Sequence, residues 1–371
     1  MSVQELRARI QKLSSEIELQ KKLLNKLERD KCLVQRQLNA VLDPVARLPL
    51  EISSEIFLQS LAPIAQPGAR HLPMLLLNVC HAWADIALST PALWAAIDVA
   101  FPCSEGFQEV LKIWLRRARN RPLSMSLRGD LEDRSAVAAI IWQPGQQLRN
   151  FEICVDTEDD EDGITDVDLF RGMSPGSLPL LETLTIRGVL WRKFYGPSIL
   201  QLISRAPNLR ECSFHEVEPV YLLDFKSEKV VLPNLRRLMF GPCLGKPTSD
   251  DDILGCLSLP ALEALSVSLR YVSGHELLSF LERSSPPLQE LVVGDGSELV
   301  RLHDLFHLLP GLTSFEIWGL GPPLMTELFA VLADSPVPPP QLSPLVHPQR
   351  PGARYFRFLL ENTPSRTFRP S

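Results

Sequence analysis

Two histidines stand four residues apart in His303-Asp304-Leu305-Phe306-His307. On a helix that spacing puts both imidazoles one turn apart, near enough to share a zinc ion. It echoes the H-E-x-x-H arrangement, in which glutamate is the general base and a third ligand follows. Here aspartate replaces the glutamate and no clear third ligand follows, so zinc hydrolysis is set aside. The acidic run from Asp156 to Asp162 has the charge to attract Ca²⁺ or a basic partner. It lacks the ligand order of an EF-hand loop and reads as a solvated loop. The seven cysteines, at 32, 80, 103, 154, 212, 243 and 256, contain no C-x-x-C pair. A dispersed, odd set reads as reduced thiols of the cytosol or nucleus. No G-x-x-x-x-G-K-[ST] loop and no convincing G-x-S-x-G elbow is present. The expectation is a protein with no catalytic residues, no metal and no cofactor.

The elements that would hold such residues point to recognition instead. Six segments share one apolar-x-x-apolar-x-apolar pattern, and their first leucines fall at 181, 209, 235, 262, 288 and 312. A proline precedes each leucine by one to three residues. Steps of 24 to 28 residues headed by L-x-x-L-x-L are the signature of a leucine-rich-repeat solenoid. Earlier segments extend the series. Ala95–Phe101 and Leu123–Leu127 alternate like strands, and Leu148-Arg-Asn-Phe151-Glu-Ile153 repeats the pattern, so about nine units are expected. The acidic run sits in the longer spacing between Leu148 and Leu181. Helical spacing recurs between strands at Phe107–Arg119, Ile199–Arg205, Leu277–Arg283 and Leu324–Leu332. Strand plus helix per repeat predicts a curved parallel sheet with helices on its convex side.

In such a sheet the pattern positions point inward and the x positions form the concave face. That face holds Arg210, Arg236, Arg237, Glu263 and Glu290 among its charges. Its mixed sign suits a protein client rather than nucleic acid, and these five residues are the candidate client contacts. The competing reading is a face that is merely solvated. A net charge of −6 also argues against nonspecific nucleic-acid binding. The polar start of the chain lacks a signal-peptide core, and no apolar run is long enough to span a membrane. A soluble cytoplasmic or nuclear protein is expected.

From Val3 to Val41 no glycine or proline interrupts the chain. Positions 3, 6, 10, 13, 17, 20, 24, 27, 31, 34, 38 and 41 step by alternating three and four, and ten of the twelve are apolar. This is a heptad seam. Gln20 and Lys31 interrupt it, lowering its stability while able to fix its register. Pro44 stops the helix. The seam implies a homodimer through residues 3–41, and the competing reading is a lone amphipathic helix folded back on its own chain.

Next comes Leu48-Pro49-Leu50-Glu51-Ile52-Ser-Ser-Glu55-Ile56-Phe57. Pro49 suits the first turn of a helix, and Ile52, Ile56 and Phe57 are expected on one face of it. A proline-containing loop leads to Val79-Cys80-His-Ala-Trp83 and then to Ala87-Leu-Ser-Thr-Pro-Ala-Leu93-Trp94. A three-helix unit this small buries little surface and should lean on a partner or on the rest of the chain. The ordered set L-P-x-E-I-x-x-x-I-F, V-C-x-x-W and A-L-S-T-P-x-L-W resembles an F-box, over residues 44–97. The resemblance implies docking onto the Skp-family adaptor of SCF ubiquitin ligases, and through it onto a cullin complex. The adaptor contacts it implies are Leu48, Pro49, Ile52, Ile56, Val79, Cys80 and Trp83. Leu93 and Trp94 are expected in the unit's own core.

The expected organisation is therefore mixed α/β. A coiled-coil helix (1–43) precedes an F-box-like unit (44–97) and a leucine-rich-repeat solenoid (98–334). A proline-rich linker and partly disordered tail (335–371) close the chain. The tail segment Arg354-Tyr-Phe-Arg-Phe-Leu-Leu reads either as a last strand or cap, or as disorder. The expected function is substrate recognition for a ligase, and its alternative a coiled-coil and repeat scaffold with no ligase.

Overall fold

A computed structural model describes residues 3–61, 72–101, 103, 106–129, 142, 145–155, 166–167, 176–188, 193–215, 218–220, 229–240, 253–268, 272–294, 302–318, 330, 341–343 and 355–359. The acidic run 156–162, the helix expected at 324–332 outside residue 330, and the linker from 335 to 340 lie outside the described residues. So does the chain end beyond Leu359. The chain divides into two compact units, Met1–Ala96 with Trp114–Arg121, and Ile97–Ile113 with Pro122–Ser371.

In the first unit, helix α1 runs Val3–Leu42, matching the uninterrupted heptad stretch. Asp43 ends it. Its Oδ1 accepts the Val45 backbone N–H at 2.9 Å, an Asx turn that leads into the single turn Val45–Arg47. Helices α2 (Leu50–Gln59), α3 (Leu72–Leu76) and α4 (His81–Ser89) follow. Pro49 stands just ahead of α2, where its missing N–H costs nothing. The core of this unit contains Phe57, Leu76, Cys80, Ile86, Ala87, Leu93 and Trp94. Both large indoles of that core are satisfied. Trp94 Nε1 donates to the Ala87 carbonyl at 2.8 Å, and Trp114 Nε1 donates to the Trp94 carbonyl at 2.9 Å. The two rings meet edge to face at 4.9 Å, and the Arg117 guanidinium lies 4.4 Å above Trp94.

The second unit is built on one eleven-stranded sheet. Its strands are β1 (Ala96–Phe101), β2 (Leu123–Gly129), β3 (Leu148–Cys154), β4 (Thr183–Arg187), β5 (Glu211–His215) and β6 (Arg237–Phe240). Then come β7 (Ala264–Ser268), β8 (Glu290–Gly294), β9 (Ser314–Trp318), β10 (Gln341–Ser343) and β11 (Tyr355–Leu359). Spatial order follows chain order from β1 to β9, and β2 through β9 are parallel. The segment read as tail supplies the end of the sheet. β11 pairs antiparallel with β9, and β10 pairs antiparallel with β11. The sheet therefore has two edges and does not close into a barrel.

The repeat pattern accounts for the register. Leu184, Cys212, Leu238, Leu265, Leu291 and Phe315 are the middle apolar residues of the six segments, and they stand side by side in one row. All six are buried. Period-2 alternation turns the residues between them to the other face. Cys212 replaces a leucine here, and burial pushes its thiol pKa well above the ordinary value.

The recurrent proline has a local cause. In five of the six segments the strand leucine N–H donates to the carbonyl three residues back: Leu181 to Leu178, Leu209 to Ala206, Leu235 to Leu232, Leu262 to Leu259 and Leu312 to Leu309. The second residue of each turn is proline, whose fixed φ presets that turn. Before Leu288 the turn differs, because Ser285 takes φ +42° and Leu288 donates to Pro286. Helices α5 (Phe107–Ala118), α6 (Gly196–Ser204), α7 (Gly274–Ser284) and α8 (Leu302–Leu308) occur between strands. A full capping box, Ser273 with Glu276, starts α7.

Candidate functional site

Two exposed surfaces stand out, one in each unit. The first lies on α2. With Leu48 and Pro49 just ahead of it, the helix turns Ile52 (51% exposed) and Ile56 (42% exposed) to solvent. One residue further round, Ser53 and Phe57 face inward, with Phe57 only 3% exposed. The expectation that Phe57 shares a face with Ile52 and Ile56 is thus corrected. Phe57 packs against the Trp83 ring in a tilted arrangement, with centroids 4.9 Å apart. Ser53 Oγ donates to the Val45 carbonyl at 3.1 Å. Ser53 and Phe57 hold the inner side of the helix while Ile52 and Ile56 stay outside.

The remaining predicted adaptor contacts sit differently. Val79 and Trp83 are half-buried, and Cys80 is 1% exposed. Cys80, just before α4, is therefore a core residue, not part of an open surface. The Trp83 indole N–H is already engaged, donating to Asp43 Oδ2. That carboxylate joins the end of α1, the turn after it and α4. In the sequence alone, Pro44 is the stop of α1 and Asp43 has no role. Its signal was an acidic side chain at a helix end, which finds a partner only once α4 is placed beside it.

The second surface is the outward face of the parallel sheet. Four of the charged candidates, at or just before strand starts, pair across repeats, one pair between neighbouring repeats and one across an intervening strand. Arg236 meets Glu263 at 3.0 Å, and Arg237 meets Glu290 at 4.0 Å. Further along the same sheet Arg149 meets Glu182 and Arg187 meets Glu152, each at 3.0 Å. Arg210 is exposed and lines a polar groove of about 660 Å³ together with Asn208, Glu211, Asn234 and Arg236. The two asparagines brace its rim. Asn208 donates to the Pro179 carbonyl at 2.8 Å and Asn234 to the Pro207 carbonyl at 3.0 Å, tying each turn to the one before. Exposed ion pairs of this kind contribute at most ~1 kcal/mol each, so a partner's charges can replace them at small cost. His215 lies on this sheet, half-buried beside Arg187. Burial, reinforced by the Arg187 charge and partly opposed by Glu152, lowers its pKa below 6.5.

His303 and His307 lie on α8, where His307 is exposed. Among the described residues no group of three or more His, Cys, Asp or Glu side chains is arranged to hold a metal ion. Among them, too, no helix is long and apolar enough to cross a membrane. The structure presents an exposed apolar row on one unit and exposed, pairwise-matched charges on the other. Neither a protein-family model nor a curated sequence matches this chain.

Proposed function

We propose that the chain is the substrate-recognition subunit of an SCF-type ubiquitin ligase. The F-box-like unit docks the Skp-family adaptor, and through it a cullin complex. The sheet unit, a leucine-rich-repeat solenoid in this view, holds a protein client. The chain performs no bond chemistry. It raises the effective concentration of client lysines near a ubiquitin-charged conjugating enzyme.

The observation that carries this is the division of α2. A small helical unit keeps Ile52 and Ile56 in water while its core is already filled by Phe57, Leu93 and Trp94. Leu48 and Pro49, also exposed, extend the apolar row. An exposed apolar row beside a packed core fits an interface awaiting a partner. The mixed, pairwise-satisfied charges of the sheet fit a protein client better than a polyanion.

Co-purification with the Skp-family adaptor tests it. The intact chain should capture the adaptor, and Leu48→Ala with Pro49→Ala should not. Failure of the intact chain to capture it in mild salt removes the ligase and leaves the alternative, a coiled-coil and repeat scaffold.

A further inference from the structure

Helix α1 carries a second interface that the ligase proposal does not require. Its seam residues Leu6, Ile10, Leu13, Ile17, Leu24 and Leu27 are all exposed in the single chain. An apolar stripe of that length is uncommon on a monomer in water. The helix is nevertheless anchored at its C-terminal end, by another face. Arg36 Nη2 donates to Asn78 Oδ1 at 2.9 Å, and Asn39 Nδ2 donates to the Val79 carbonyl at 3.1 Å. With Ile10, Ile17 and Leu24 at a positions and Leu6, Leu13 and Leu27 at d positions, Arg36 falls at f and Asn39 at b. The side used for anchoring is opposite the seam. Anchoring and self-pairing are therefore compatible.

We infer that α1 pairs with α1 of a second copy of this chain as a parallel, in-register, two-stranded coiled coil. Three features select this arrangement. The first heptads place β-branched Val3, Ile10 and Ile17 at a, with Leu6 and Leu13 at d, the combination that favours two parallel strands. Charges flanking the seam then match across the pair. Glu16 at g faces Lys21 at e of the second copy, and reciprocally. In one chain Lys21 meets Glu18 at 3.0 Å, but both side chains are largely exposed and that pair is easily exchanged.

The polar seam residues also find partners. In register, Gln20 faces its own copy and can exchange amide hydrogen bonds with it. Lys31, at a, also faces its own copy, and Asp30 of the second copy, bordering the hole it enters, offsets that repulsion. The fully overlapped antiparallel arrangement has opposite consequences: Lys21 then faces its own copy, and Glu16 faces Asp30.

Sedimentation equilibrium on the full chain should give twice the single-chain mass of 41.6 kDa at tens of micromolar. A single-chain mass, or a trimer or larger, overturns the inference. Glu16→Lys leaves the fold untouched, since position 16 is exposed. It should weaken the dimer, and adding Lys21→Glu should restore it. A dimer strengthened by Glu16→Lys alone would mean antiparallel pairing and overturn the parallel register. Leu27→Cys in a Cys32→Ser background should oxidise to a covalent dimer. In the antiparallel case residue 27 lies opposite residue 17, so the two thiols stand about 15 Å apart along the axis and no bond forms.

Discussion

Replacing Ile52 and Ile56 together by alanine separates docking from folding. Full burial of an isoleucine side chain is worth ~1.5–3 kcal/mol. In the free chain Ile52 retains 51% of its surface in water and Ile56 retains 42%, so docking can bury at most those shares. The shares correspond to ~0.8–1.5 and ~0.6–1.3 kcal/mol. Their sum, ~1.4–2.8 kcal/mol, predicts adaptor binding about 10- to 100-fold weaker in the double variant. Exposed positions like these shift folding stability by only about 0.5 kcal/mol each. The neighbouring Phe57→Ala provides the contrast. At 3% exposure it should cost ~3–5 kcal/mol of stability. Calorimetric titration with the Skp-family adaptor, alongside denaturant unfolding, reads both quantities. The reasoning is refuted if the double variant binds like the parent chain, or if it loses as much stability as Phe57→Ala.

Arg210→Ala, Arg236→Ala and Arg237→Ala combined should abolish client capture in proximity labelling while moving the unfolding midpoint little; unchanged capture removes this face as the client surface. Because His215 binds its proton less readily folded than unfolded, its contribution to stability is complete above pH 6.5. It is lost as pH falls from 6.5 through the lowered folded-state value. His215→Gln should flatten that part of the stability–pH curve, and an identical curve would contradict the assigned environment. Ser285→Gly should raise stability by about 1 kcal/mol, since φ +42° strains a side-chain-bearing residue at the end of α7. Gly129→Ala should do the reverse, because φ is +92° and its new Cβ would strike the Phe101 carbonyl oxygen. Denaturant titrations check both.

Much of the sheet was legible because its determinants are local. An apolar residue every second position needs no distant information to become a strand with one wet face, and a proline two residues ahead presets the turn. The recurrence of Leu-Glu-Thr-Leu184-Thr-Ile, Leu-Arg-Glu-Cys212-Ser-Phe and their successors therefore foretold strands, register and burial together. Helix α1 was equally plain, since nothing between Val3 and Leu42 opposes helix formation. The charge pairs were not. Arg236 finds Glu263 of the next repeat, and Arg237 reaches Glu290 across the strand between them, only because the parallel sheet brings different repeats together.

Helix α2 shows the same limit within ten residues. Its composition allows Ile52 and Ile56, or Ser53 and Phe57, to be the buried side, because a 3.6-residue period defines faces without saying which one is covered. In the folded unit Phe57 packs against Trp83 and Ser53 is buried, so the latter is the inner side, and Cys80 lies in the core. The sequence alone thus determined that this chain has a long seam-bearing helix, a small helical unit and repeating strands, since local sterics and periodicity act within a few residues. Tertiary structure decided which apolar residues stay in water and which charges meet, since burial and ion pairing depend on what the rest of the chain brings alongside.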